Sequence, residues 1–350
     1  MDFTFTDDQL LFQESVRDFL VNEVTPEKVR ELWSADTGRS SELWSQLVEL
    51  GLTAMTVPEA YGGLGMTELD FVLLAQECGY VALPAAIVHN ALVAVPVVAA
   101  IESLAGNWLP KIAAGEAQIA IGLEANVFVE DAHTADLLLM QSGDELHAID
   151  PATVSLRENT SVDPSRRLFL VEWTPASETC VASGSEGRQL IEAAFIRGAL
   201  GVAAESLGLS QRMIDIAVQY TSERQQFGKP IGSFQAVKHL MSNVAYKLEY
   251  AKAPLARAAY AVASNLSDAA VAVSHAKLAA TEVAQIAAKN TMQVHGATGM
   301  SQWSPLSGMY TWQRALRFAD GPDEVHHQVI ARAEVKAFQA SNTRGTKGDS

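Results

Sequence analysis

Three polar segments interrupt the Ala-rich second half of the chain, and each brings residue types able to bind or react. The first is Arg224-Gln225-Gln226-Phe227-Gly228-Lys229-Pro230-Ile231-Gly232-Ser233-Phe234-Gln235. Two glycines and a proline break the helical pattern there, and Arg224, Lys229 and Lys238 gather positive charge in a strongly acidic protein. A local cationic site of that kind is what a pyrophosphate group requires. The same residues also suit a solvated turn between helices. The second segment, Gln293-Val294-His295-Gly296-Ala297-Thr298-Gly299, ends a helical run in glycines. Such glycines admit close backbone approach to a ligand and equally cap a helix. His295 has the chemistry of a ligand or base, and a lone histidine at a helix end is also a common structural residue.

The third segment is Ala319-Asp320-Gly321-Pro322-Asp323-Glu324-Val325-His326-His327. Pro322 suits the first turn of a final helix, where its missing N–H costs least. Asp320 and Asp323 then fall at the positive end of that helix, and capping accounts for them. Asp323 and His326 have the spacing of a di-iron bundle, but the second carboxylate–His pair and the inward glutamates are missing, so no metal is expected. No Walker loop, G-x-G-x-x-G, G-x-S-x-G or H-E-x-x-H sequence occurs.

Several elements must position these segments. Thr6-Asp7-Asp8 is an N-cap cluster ahead of a helix with apolar positions Leu10, Leu11, Val16, Phe19 and Leu20. Ser41 to Leu50 reads as a second amphipathic helix stopped by Gly51, and Glu68 to Cys78 as a third. Val81 to Ile101 carries only His89 and Asn90 as polar side chains. Its length would span a bilayer, but Pro84, Pro96 and the lack of a basic flank favour buried helices. From Ala117 to about Cys180 short apolar runs alternate with Gly, Asp, Asn and Pro, and Ser142-Gly143-Asp144 signals a hairpin. Helical periodicity returns over residues 187–222, 234–264, 268–295 and 323–338, predicting a long antiparallel bundle. The division is therefore a helical domain (1–115), a short β domain (116–184), a bundle (185–340) and a polar, flexible tail (341–350).

The chain has 350 residues, with 25 Lys+Arg against 41 Asp+Glu and a formal net charge of −16. That acidity argues against nucleic acid and anionic membrane as partners. The start, MDFTFTDDQL, has no basic or apolar leader, so a cytoplasmic protein is expected. Cys78 and Cys180 lack metal-ligand spacing and read as inert core thiols of a reducing compartment.

In order and separation, these segments resemble the acyl-CoA dehydrogenase family. TDDQLLFQESVRDFLVNEV resembles its first helix, and LWSQLVELGLTAMTVPEAYGGLG and ECGYVALPAA resemble its N-terminal domain. RQQFGKPIGSFQAVKH is its most specific signature, with QVHGATG and DGPDEVH in their usual places. The resemblance implies a mainly α fold, with an N-terminal helical domain, a central β domain and a C-terminal four-helix bundle. It implies FAD at subunit interfaces and oxidation of an acyl-CoA to the 2-enoyl-CoA, with an electron-transfer protein as acceptor. By position it implies that Arg224, Phe227 and Gln235, supported by Gln293 and Gly296, hold the cofactor of a neighbouring subunit. Asp320 falls at the place of the catalytic carboxylate.

One departure is informative. The family's Thr-Glu-Pro segment, Gly-Ser-Asp turn and Trp-centred strand hold the flavin ring. Here the corresponding stretch, Gly122 to Asp131, keeps only Glu124. The half-site given to a neighbour is thus present and the chain's own ring site is poor. That pattern resembles the smaller subunit of bacterial heterotetrameric acyl-CoA dehydrogenases, several of which handle steroid-derived thioesters. A full-length dehydrogenase-like partner in an α2β2 complex is expected. The alternatives are a self-sufficient homotetramer and a catalytically silent scaffold.

Overall fold

The computed structural model describes residues 5–345 apart from Gln302, with side chains through residue 340. Helix α1 (Asp7–Glu23) begins at Thr6, whose hydroxyl accepts from the Gln9 N–H while the Gln9 side chain accepts from the Thr6 N–H. This reciprocal cap satisfies two otherwise orphaned donors. Val16 and Leu20 are buried, whereas Leu10 and Leu11, read as part of the apolar face, are exposed. Helices α2 (Pro26–Trp33) and α3 (Ser41–Glu49) follow, and Gly51 takes the left-handed φ of +76° that closes α3.

Helix α4 (Glu68–Val81) packs directly on the long helix α8 (Gly184–Glu223). Glycines permit that approach: a Cβ at Gly208 would lie 1.8 Å from the Gln76 carbonyl oxygen. Most of the apolar stretch from Val81 to Ile101 is buried in the protein core, as α5 (Ile87–His89), a π-turn over Asn90–Ala94, and α6 (Val95–Ala100), with Ala99 and Ala100 exposed. Helix α7 (Glu102–Ala113) completes the first domain. Among the described residues no helix is long and apolar enough to cross a membrane.

The central domain holds two small sheets. One is ordered β1 (Ile119–Gly122), β3 (Leu137–Ser142), β4 (Glu145–Ile149), β7 (Cys180–Ala182), and the other β2 (Val129–Glu130), β6 (Leu168–Glu172), β5 (Ser155–Asn159). The β3–β4 hairpin turns at Gly143, as Ser142-Gly143-Asp144 predicts, with φ +58°. Strand β3 shows no polar alternation because both its faces are covered. Leu137 and Leu139 join the main core, while Leu138 and Met140 pack between the sheets with Ala120, Val129 and Phe169. Strands β2 and β7, two and three residues long, are too short to show a period in the sequence.

In the last domain, α9 (Gln235–Ala263) and α10 (Ala269–His295) pack along α8, and α12 (Asp323–Gly345) packs on α10. A further helix, α11 (Pro305–Phe318), sits between α10 and α12 in sequence and was not anticipated. Helix α12 extends past the expected domain end at 340, and residues 346–350 of the polar tail lie outside the described residues.

Candidate functional site

Helix α11 ends at a sharp corner. Asp320 (φ +49°) and Gly321 (φ +95°) take successive left-handed conformations, which turn the chain into Pro322 and α12. A non-glycine residue held there is uncommon and needs support from its surroundings. Five side chains supply it. Lys277 on α10 donates to the carbonyls of Leu316 (3.0 Å) and Arg317, completing the end of α11. His326 Nε2 donates to the Asp320 carbonyl (3.1 Å), which leaves Nδ1 to accept from the Ser274 hydroxyl (3.1 Å). Arg317 and Thr281 hold the Asp323 carboxylate at 2.8 Å and 3.2 Å. Burial pushes Lys277 down to about 8 and His326 down to about 4, so the imidazole is neutral at physiological pH.

The Asp320 carboxyl is left free by this scaffold. It makes no hydrogen bond among the described residues and lies against Gly198 of α8, where a Cβ would be 2.4 Å from Oδ1. Of the two acids read as caps, only Asp323 stands at the start of α12. Burial raises the Asp320 carboxyl, partly offset by the charges of His89, Lys277 and Arg166.

Two cavities meet at Asp320. The larger runs between α5, α8 and α11, walled by Leu83, Val88, Val202, Trp312 and Leu316. The smaller opens toward the β domain past Phe128, Ile121 and Phe195. Asn90 ties the helical wall to the sheet: its Oδ1 accepts from the Ile119 N–H (3.1 Å). The π-turn that begins at Asn90 follows His89, which lines both cavities.

Two ion pairs edge the same space. Arg166 forks onto Glu130 at 3.1 and 2.5 Å, and Arg39 onto Asp131 at 3.1 and 2.5 Å. Burial pushes Glu130 up, but the Arg166 charge and hydrogen bonds outweigh it and hold Glu130 below its usual range. Asp131 ends above its own because burial and the Glu130 charge outweigh Arg39. None of Arg39, Glu130, Asp131, Arg166 or Lys277 was legible as a site residue. For Lys277 a signal exists, a cation in the Ala-rich run of α10.

The other predicted residues lie elsewhere. Arg224 ends α8, and Gln235 starts α9. Between them β8 (Gln225–Gln226) pairs with β9 (Lys229–Pro230) across a two-residue loop of Phe227 and Gly228, at φ +54° and +77°. Both positive values belong to the tight turn that matches strand twist. It holds the Phe227 ring 91% exposed. Tyr220 of α8 stacks on His295 of α10 at 4.1 Å, and Asn290 donates to the Leu240 carbonyl of α9. These contacts bring the end of α10, with exposed Gln293 and Gly296, to the same end of the bundle. His295 itself is structural: its Nδ1 donates to the Thr291 carbonyl at 2.7 Å. From Gly198 to Arg224, α8 runs for about 39 Å, at ~1.5 Å per residue. Asp320 and the Arg224 end are therefore separate places.

Glu124, the one retained residue of the ring-holding segments, has a turn-forming contact. It accepts from the Gly143 N–H at 2.7 Å. Cys78 is buried as expected, but Cys180 is not a core thiol. It is partly exposed on β7, its Sγ within 4.8 Å of ligand atoms of His147 and Glu145.

Residues 6–116 match the family described as acyl-CoA dehydrogenase, N-terminal domain, and residues 185–335 match its C-terminal domain. The chain belongs to the acyl-CoA dehydrogenase family. The protein named acyl-CoA dehydrogenase IpdE2 of Mycobacterium tuberculosis is 29% identical over 323 residues, covering 91% of this chain and 95% of that protein. The ChsE4-ChsE5 complex from Mycobacterium tuberculosis superposes with a TM-score of 0.84 at 22% identity, over 96% of this chain and 99% of the other. The steroid acyl-CoA dehydrogenase Tcur3481-Tcur3483, as its G363A variant, gives 0.81 at 20% identity, over 95% and 99%. These likenesses confirm the fold of helical domain, small β domain and helical C-terminal domain.

Acyl-CoA dehydrogenases are oxidoreductases acting on CH–CH bonds and are typically FAD-dependent. The Arg224 end of the bundle fits the outer part of such a cofactor. It offers a guanidinium and a nearby ammonium for phosphate, an exposed ring, and two amides, all facing outward. The chain's own ring site fits poorly. Only residues 123–128 connect β1 to β2, and the cavity wall near Asp320 carries the Arg166–Glu130 ion pair.

Proposed function

We propose that this chain is a subunit of an FAD-dependent acyl-CoA dehydrogenase that converts an acyl-CoA thioester to the 2-enoyl-CoA within an α2β2 complex. The observation that carries the reading is the ~39 Å between the Asp320 corner and the Arg224 end. The two places are far enough apart that the FAD held at Arg224 is not the one beside Asp320, so this chain contributes to two sites. Arg224, Phe227, Gln235, Gln293 and Gly296 hold the adenosine-pyrophosphate half of FAD seated in the adjoining subunit. That partner is a full-length dehydrogenase-like chain, which supplies the ring-holding segments missing here. An electron-transfer protein accepts the electrons.

FAD, when bound, supplies the acceptor for the β-hydride. The chain's own part is positional and acid–base. Asp320 takes the α-proton onto a carboxyl oxygen that nothing else occupies, and Lys277 and His326 fix the corner that aims it. Leu83, Val88, Val202, Trp312 and Leu316 exclude water from the acyl group. A steroid-derived acyl group is in keeping with the apolar wall of this cavity and the likeness to the Tcur3481-Tcur3483 enzyme.

Asp320→Asn tests the reading. Loss of turnover with unchanged FAD content is expected, whereas full turnover removes Asp320 from the mechanism. A second reading has its own support in the Arg166–Glu130 pair. In that reading this chain's cavity holds no flavin ring, and the partner supplies the base. One flavin per pair of chains, with Asp320→Asn fully active, favours it. One flavin per chain excludes it.

A further inference from the structure

We infer that Glu205 anchors a neutral oxygen atom, a ketone or a hydroxyl, on an acyl group bound in the Asp320 cavity. The inference deepens the dehydrogenase reading by naming a substrate class, and it rests on that reading for what fills the cavity.

Gly198, Gly201, Val202 and Glu205 share one face of α8, at the i, i+3, i+4, i+7 spacing, and all four line the cavity. The first two have no side chain, so the helix backbone forms the floor beside Asp320. Two turns further on a carboxyl projects. Every arginine in the wall is already engaged: Arg39 by Asp131, Arg166 by Glu130, and Arg197 by Glu68 at 2.7 Å. Glu205 has no hydrogen-bond or ion-pair partner among the described residues. Glu205 is partly open to the cavity, and an unpaired carboxyl facing walls of Leu83, Val88, Val202 and Trp312 points to a ligand that pairs with it.

The chemistry of the surroundings selects the class. A ligand carboxylate would find the wall arginines taken and would face the carboxyls of Glu205 and Asp320. A ligand ammonium would need Glu205 ionised. Burial, with the charges of Glu130 and Asp320, raises Glu205 to about 8, only partly offset by Arg166, which favours a neutral ligand group. An unsubstituted alkyl chain would leave the group dry and unpaired. A neutral oxygen satisfies it, since a protonated carboxyl donates to a ketone and accepts from a hydroxyl.

Position adds a length. Glu205 lies about 10 Å along α8 from Gly198, which contacts the Asp320 carboxyl. The ligand oxygen therefore lies several ångströms along α8 from the reacting carbon. That is within the reach of the para position of a six-membered ring carried on a propanoyl chain.

The test is calorimetric binding to the intact complex of two thioesters, 3-(4-oxocyclohexyl)propanoyl-CoA and 3-cyclohexylpropanoyl-CoA. The ketone is expected to bind about tenfold tighter, because a site built for an oxygen rejects the analogue that lacks it. Glu205→Leu should abolish the preference by weakening the ketone alone, and Glu205→Gln, which still donates, should keep part of it. Equal affinities in the unmodified protein, an unchanged ratio in Glu205→Leu, or equal weakening of both thioesters overturns the inference. Turnover is read separately. A ketone preference without oxidation of either thioester leaves Glu205 assigned and sinks the dehydrogenase reading instead.

Discussion

The carboxyl of Asp320 rests on the backbone of Gly198, so closely that a methyl group on that glycine would stand 2.4 Å from Oδ1. The contact joins the corner after α11 to α8, the same helix that ends at Arg224. One rigid rod thus carries the wall of one site and the start of another.

Gly198→Ala should therefore act on catalysis through geometry. The added methyl displaces the carboxyl by about 1 Å, enough to lower kcat by roughly a hundredfold. Overpacking is expected to cost ~1–3 kcal/mol of stability. FAD content should not change, because the cofactor contacts lie at the far end of α8. Turnover and flavin absorbance of the purified complex check both halves of this expectation.

At the other end the pattern reverses. Arg224 and Gln235 are exposed, so Arg224→Ala and Gln235→Ala should each leave thermal stability within about 0.5 kcal/mol. Flavin occupancy of the complex should fall in both. Unchanged occupancy would fit a subunit that only braces its partner.

The neutral His326 gives a pH signature. Its folded pKa is about 4 against an ordinary 6.5, so the unfolded chain takes the proton first. Stability on this account is intact above ~6.5 and falls as pH drops toward 4, by at most about 3 kcal/mol. The groups that tune it are Lys277, Asp323 and His327. His326→Gln, which can still donate to the Asp320 carbonyl, should flatten this acid limb in urea unfolding. A limb as steep as in the unmodified protein would assign it to other groups.

The long helices were legible because periodicity accumulates over many turns, and Thr6, Gly51 and Gly143 act as local punctuation. Helix α11 was not, since Pro305, Ser307, Gly308 and Thr311 blur its face and only packing makes it a helix. The signature residues and Asp320 were legible through resemblance, whereas their roles at two ends of one helix needed coordinates. Arg39, Asp131, Glu130 and Arg166 come from separate segments brought together by the fold, and no local pattern reports such pairs. Asp320 read as a cap for the same reason: sequence gives its place beside α12 and not the direction of its carboxyl.

The central claim is that this chain completes a flavin site on a different subunit. Flavin absorbance and native mass, measured on this chain alone and then co-purified with a dehydrogenase-like partner, test it most directly. The account predicts a colourless protein alone and a yellow α2β2 complex together. A yellow homotetramer formed by this chain alone would contradict it.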